Sequence, residues 1–215
     1  MRSLIDVLLP PACAGCGASG SLLCAACRRL LRPPFDERDR FAAPDAGVVI
    51  GEALAVAITA FAYAGPMRRA LAALKYSGAS RLAPILGGLA FSALDRLLAI
   101  SGPAELVPIP VHRERLADRG YNQAALLADA LARRSSLPVA PSLERVRPTT
   151  KQHRLNRAAR LANLRGAFAA TERAPKVAIL VDDIITTTAT LEACAAALRD
   201  AGSEAVFGLG LAREV

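Results

Sequence analysis

Apolar and polar positions follow two periods along this chain, and the sharpest change between them lies near the C-terminus. Val177 to Val181 is an unbroken apolar run, the pattern of a strand covered on both faces, which need not alternate. The adjacent carboxylates of Asp182 and Asp183 stand where that strand is expected to end, followed by a hydroxyl cluster of Thr186, Thr187, Thr188 and Thr190. From Leu191 the period turns helical: Leu191, Cys194, Ala195 and Leu198 share one face, and Gly202 stops the helix. A strand, a polar loop and a helix N-terminus make an anion site, because unpaired amides and the helix dipole face the loop. The neighbouring carboxylates suit a metal ion or sugar hydroxyls. A phosphorylated sugar is therefore the expected ligand.

The same alternation extends upstream. Ala53 to Ala64 reads as one or two strands, with Val56, Ile58, Phe61 and Tyr63 as β-formers, until Gly65-Pro66 breaks it. Pro66 to Tyr76 and Leu82 to Leu98 carry helical spacing. Lys75, near the end of the first of these helices, reads as a dipole-compensating charge. Leu106 to Val111 is a short strand interrupted by prolines, Ala124 to Arg134 a helix, Val139 to Val146 a further strand, and Ala205 to Leu211 the last. Strands alternating with helices predict an α/β fold with a parallel sheet.

Charge and cysteine spacing add two features that periodicity misses. Net charge is +8, and no acidic residue lies between Arg145 and Thr171, a stretch holding Arg147, Lys151, Arg154, Arg157, Arg160 and Arg165. So one-sided a block implies an anionic partner, nucleic acid or a polyphosphate. Arg154, Arg157 and Arg160 recur at i+3 and could track a nucleic-acid backbone. Single-strand binding also draws on stacking aromatics; the chain has no Trp, leaving Tyr121, Phe168 and Phe35 as the candidates. At the other end, Cys13-Ala-Gly-Cys16 and Cys24-Ala-Ala-Cys27 are two CxxC knuckles that can place four thiolates around a structural Zn²⁺. Gly15 and Gly17 are expected to supply the backbone freedom of a tight knuckle. Met1 to Pro11 has a broken apolar core unlike a secretory signal, so a cytoplasmic protein is expected and disulfides are disfavoured. The predicted organisation is a four-cysteine module over 1–34, a linker over 35–52 and an α/β domain over 53–215. His112 and His153 read as surface or loop residues, and Cys194 as a small core residue.

Two resemblances sharpen this picture. Asp182-Asp183-Ile184-Ile185-Thr186-Thr187-Thr188-Ala189-Thr190 resembles the phosphoribosyl diphosphate (PRPP) motif of type I phosphoribosyltransferases. The likeness implies that the acids hold ribose hydroxyls, directly or through Mg²⁺-bound water, while the loop amides from Thr186 to Thr190, Ala189 included, and the Thr186 and Thr190 hydroxyls hold the 5′-phosphate. Thr188 departs from that motif, which has glycine there, and a β-branched residue strongly disfavours φ > 0. Along the whole chain, the CxxC pair, Leu74-Lys75-Tyr76, Val107-Pro108-Ile109-Pro110 and Arg119-Gly120-Tyr121-Asn122-Gln123-Ala124 come in the order of the ComF (competence) family. Arg147-x-Thr149-x-x-Gln152, Arg160-x-x-Asn163 and Gly166-Ala167-Phe168 continue the series.

The ComF resemblance implies a zinc finger joined to a type I phosphoribosyltransferase-like domain, and a role in single-stranded DNA uptake during transformation, with DNA-uptake proteins as partners. Pro110 to Arg113 would then meet pyrophosphate, and the segment around Lys151 to Asn163 would be a mobile loop over the site. Arg113, Lys151 and Arg154 are the candidates for neutralising the leaving group, assisted by Mg²⁺. Two functions follow. One is a PRPP- and Mg²⁺-binding protein that handles single-stranded DNA; the alternative is an active phosphoribosyltransferase of base salvage. No base-recognition segment is evident in the sequence, which favours the first.

Overall fold

The computed structural model describes residues 10–34, 48–49, 51–147, 164, 166–171, 173–186 and 188–214. Strands β1 (Val48–Val49), β2 (Val56–Ala62), β3 (Glu105–Pro108), β6 (Val177–Ile185) and β7 (Ala205–Arg213) form one sheet in the order β1-β2-β7-β6-β3. The last four in that order are mutually parallel, and β1 runs antiparallel to β2. A separate antiparallel ribbon pairs β4 (Leu143–Arg145) with β5 (Phe168–Ala170). Among the described residues the α-helices of five residues or more are α1 (Ala25–Arg29), α2 (Gly65–Tyr76), α3 (Ala83–Ser101), α4 (Arg113–Arg119), α5 (Gln123–Ser135) and α6 (Ala189–Asp200).

The apolar run of β6 is buried on both sides, as a central parallel strand requires. Ile179 and Val181 join a core with α2, α3 and α5, whereas Ala178 and Leu180 join a second core under α6. Leu191, Cys194, Ala195 and Leu198 are the buried face of α6, as their spacing predicts. Helix α3 meets α5 at Gly87, where a Cβ would lie 2.6 Å from that of Ala130, so glycine permits this close crossing. Among the described residues, one helical segment, Ser80–Ser101, is long and apolar enough to cross a membrane by length and composition. Here Leu82, Leu86, Leu94 and Leu97 of that segment are fully buried in the core.

Several boundaries differ from the sequence expectation. Strand β6 continues past the carboxylates to Ile185, because Asp182, Ile184 and Ile185 remain paired with Gly210, Ala212 and Arg213 of β7. A backbone ladder does not depend on the polarity of the side chains it carries. Strand β3 ends at Pro108, and the strand expected over 139–146 shrinks to β4, with only Val139 bridging Leu106 of the main sheet. Helix α4, seven residues long, is legible in no periodic pattern.

Candidate functional site

The knuckle cysteines converge at the N-terminal end of the described chain. The Sγ atoms of Cys13, Cys16, Cys24 and Cys27 all lie within 4.8 Å of one another, and those of Cys16 and Cys24 are 3.7 Å apart. Zn–S bonds of about 2.3 Å in a tetrahedron give sulfur edges near 3.8 Å, so the donor set fits a metal of that kind. Amides already point at the sulfurs: Gly15 and Cys24 donate to Cys13 Sγ (3.4 and 3.2 Å), and Cys27 donates to Cys24 Sγ (3.4 Å). Burial pushes the Cys13 thiol up, but backbone donors from Cys24, Gly15 and Cys16 outweigh it and bring the value to about 6. Cys27 is pushed up to about 12, by burial first and then by the other three thiols. Gly17 has φ +81°, the freedom expected of it. Gly15 serves differently: a Cβ there would sit 2.6 Å from Cys27 Sγ and 3.2 Å from Pro66 Cβ, so its role is close approach rather than an unusual φ.

That contact seats the module on the first turn of α2. Arg69 Nε donates to the Gly15 carbonyl, and the Ala62 amide donates to the Arg32 carbonyl. Cys13, Leu23 and Cys27 are part of the same buried cluster as Leu71 and Leu74 of α2.

The opposite end of α2 reaches a cleft of about 810 Å³. It lies beyond the carboxyl ends of the parallel strands, where open α/β sheets bind ligands. Tyr63 follows β2, Ile109 to Val111 follow β3, Asp182 to Ile184 end β6, and Glu214 follows β7. Asp183, 3% exposed, meets Lys75 at 2.5 Å from Oδ2 to Nζ. Lys75 is thus a site residue and more than a dipole partner. Asp182 Oδ1 accepts from the Asp183 amide at 2.8 Å. Burial, and then the Asp183 carboxylate, hold Asp182 well above the ordinary carboxylate range.

Thr186 and Thr190 also line this cleft. Between them Thr188 caps α6 with φ +60° and ψ −6°, and its carbonyl accepts from the Glu192 amide at 2.9 Å. The threonine takes the left-handed conformation that suits glycine, at a cost of about 1–2 kcal/mol. Ala189 is buried at the start of α6. Thr187, Lys151, Arg154, Arg157, Arg160 and Arg165 lie outside the described residues.

Arg113 is exposed at the first position of α4 and is not among the residues lining the cleft, whereas Arg115, Arg119 and Arg145 are. Burial first, and then the Arg115 guanidinium, lower the Arg145 value. Two like charges held close in a cleft favour an anion between them. Arg145 also stacks over the Phe168 ring at 5.5 Å.

Known proteins place the chain. It is 31% identical to competence protein F of Haemophilus influenzae over 215 aligned residues, covering 94% of this chain and 85% of that protein. The chain belongs to the competence protein F family. DNA utilization protein YhgH of Escherichia coli is 30% identical over 154 residues, covering 69% of this chain and 68% of its own length, and YhgH of Salmonella typhimurium is 29% identical over 149 residues. No protein-family model matches the chain.

The motifs that carry the ComF resemblance interlock in this fold. Tyr121 donates its hydroxyl hydrogen to the Leu74 carbonyl, fixing the turn that holds Lys75 and Tyr76. Asn122 Nδ2 donates to the Ile109 carbonyl at 2.9 Å, and Asn122 Oδ1 caps α5 by accepting from the Ala124 amide at 2.9 Å. Arg119 Nη1 donates to Oε1 of the buried Gln123 at 3.0 Å. One six-residue motif thereby ties two others to the cleft wall.

Proposed function

We propose that the cleft binds PRPP with Mg²⁺ and that the protein serves DNA uptake by handling single-stranded DNA. The observation that carries the sugar-phosphate part is the run from Asp182 to Thr190, with paired acids on the strand end and a left-handed turn at Thr188 opening α6. The α6 N-terminus with its amides and the Thr186 and Thr190 hydroxyls would receive the 5′-phosphate. The carboxylates would receive the ribose hydroxyls; a carboxylate offers about four lone-pair sites, so the Lys75 contact leaves Asp183 room to accept more. Arg115 and Arg145, crowded together, would meet the pyrophosphate, a part the sequence assigns to Arg113, Lys151 and Arg154. Bound Mg²⁺ would neutralise pyrophosphate charge, with Asp182 and Asp183 contributing through water. The four-cysteine cluster would hold Zn²⁺ as a structural ion.

The DNA part draws on the names of the relatives, competence protein F and DNA utilization protein, and on the basic stretch with Lys151, Arg154, Arg157, Arg160 and Arg165. Calorimetry of PRPP with Mg²⁺ tests the first part. Wild type should bind, and Asp182→Asn/Asp183→Asn should bind at least tenfold more weakly; equal binding overturns the ligand. Single-strand affinity should fall with salt and weaken in Arg154→Ala/Arg157→Ala/Arg160→Ala, and no binding at low salt removes the DNA role. Pyrophosphate release from PRPP with a base would instead favour the transferase reading.

A further inference from the structure

The chain contains three tyrosines and no tryptophan, and all three tyrosines, Tyr63, Tyr76 and Tyr121, line the one cleft. They are not equivalent. Tyr121 is partly buried with its hydroxyl committed to Leu74, so it builds the wall. Tyr76 is 76% exposed, at the last position of α2, one residue after the lysine that holds Asp183. The Arg119 guanidinium lies over its ring at 5.1 Å from the centroid. Arg119 is itself anchored by Gln123, which is 6% exposed. An aromatic ring on an ordinary helix end is a solvated surface residue. This ring is held at the mouth of a charged cleft, with a cation fixed beside it by a buried amide.

We infer that Tyr76 and Arg119 form a stacking platform for a nucleobase, set beside the carboxylate wall of the cleft. A planar heterocycle gains from contact with an aromatic face and with the flat guanidinium plane. The nearby Lys75, Arg115 and Arg145 complement the phosphates that accompany such a base. The platform supplies the base-recognition element that is not evident in the sequence, because its parts stand 43 residues apart, at positions 76 and 119. The inference deepens the proposed function and rests on it only for the sugar phosphate next door. The base comes either from a single-stranded DNA or from a free acceptor.

With no tryptophan present, intrinsic fluorescence reports the tyrosines of this cleft. An oligodeoxyadenylate, the same phosphodiester chain with abasic residues, and free adenine serve as probes. The oligodeoxyadenylate should quench wild-type fluorescence and bind, by anisotropy of a labelled strand, about tenfold or more tightly than to Tyr76→Ala. Tyr76→Phe, which keeps the aromatic face, should bind like wild type. The abasic chain should bind weakly and be indifferent to residue 76. Quenching by the strand alone assigns the base to nucleic acid, and quenching by adenine as well assigns it to a free acceptor. Tyr76→Ala binding the strand as tightly as wild type, an abasic chain binding equally well, or no base-bearing probe binding wild type would each overturn the platform. PRPP calorimetry separates the two ideas. PRPP should bind Tyr76→Ala as it binds wild type, and a protein that stacks bases but ignores PRPP loses the sugar-phosphate reading while keeping the platform.

Discussion

The cysteine module and the carboxylate cleft face the same electrostatic problem and solve it in opposite ways. Each crowds acidic groups into a small volume: four thiols within 4.8 Å in one, two adjacent carboxylates in the other. In the cleft the chain supplies a cation of its own, Lys75 against Asp183. In the module no lysine or arginine is paired with the sulfurs in any contact among the described residues, and their helpers are backbone amides. Amides stabilise a thiolate or two but do not balance four, which leaves a set of sulfurs positioned to bind a metal ion.

Removing the metal should therefore have the largest effect on this contrast. A chelator, or Cys27→Ser, should cost more than about 5 kcal/mol of stability and abolish cooperative melting of the N-terminal part, read by calorimetric scanning beside metal analysis. A protein with well under one equivalent of zinc and an unchanged melting profile would erase the distinction. Next comes the cation from within. Lys75→Met leaves Asp183 buried beside no partner charge and should cost about 3 kcal/mol, read by denaturant unfolding. Lys75→Met/Asp183→Asn should recover much of that loss, because no uncompensated charge remains.

Asp182 gives a smaller and pH-dependent effect. Its raised value means that the native state keeps a proton that the unfolded chain has released. From the ordinary carboxylate value of about 4 upward the native state binds more protons, so stability falls as pH rises through that window. Asp182→Asn removes this slope, and its melting temperature should match wild type at acid pH and exceed it above the raised value. Parallel melting curves at every pH would mean that Asp182 is not strained by its neighbours.

Thr188→Gly should have the smallest effect. It relieves the left-handed threonine but loosens the unfolded chain and removes a buried side chain, for a net gain of about 1 kcal/mol at most. PRPP binding should be no weaker than in wild type. A marked loss of affinity would give the threonine side chain a part in the site that glycine does not fill.

The same comparison explains what the sequence could convey. The cysteine cluster is local: its ligands span residues 13 to 27, and the spacing alone encodes it. The acids and threonines of the cleft are equally local, which is why the strand, turn and helix around them were legible, down to the buried face of α6. The place of Lys75, Tyr76, Arg115 and Arg145 in the cleft was not. They enter the cleft from three separate elements, α2, α4 and β4, and only tertiary packing brings them together. Lys75 looked like any lysine on a helix end because its partner lies 108 residues away, at 183. The Arg119-to-Ala124 motif was visible as letters, but the hydrogen bonds that make it a clamp required the fold. Boundaries failed where polar side chains stood on a continuing ladder, as at Asp182, or where a short helix had no apolar face, as at α4.

Helix α2 has twelve residues and spans about 18 Å, with the knuckle seated on its first turn and Lys75 and Tyr76 on its last. Its length is therefore a phase relation as well as a distance. One inserted residue in its middle would turn the last turn by about 100° and lift it about 1.5 Å, leaving the module seated while Lys75 swings away from Asp183. Substitutions along the exposed side of α2 are affordable for such a part, but insertions and deletions are not, and a cysteine module transplanted from a relative must bring a helix of matching register with it.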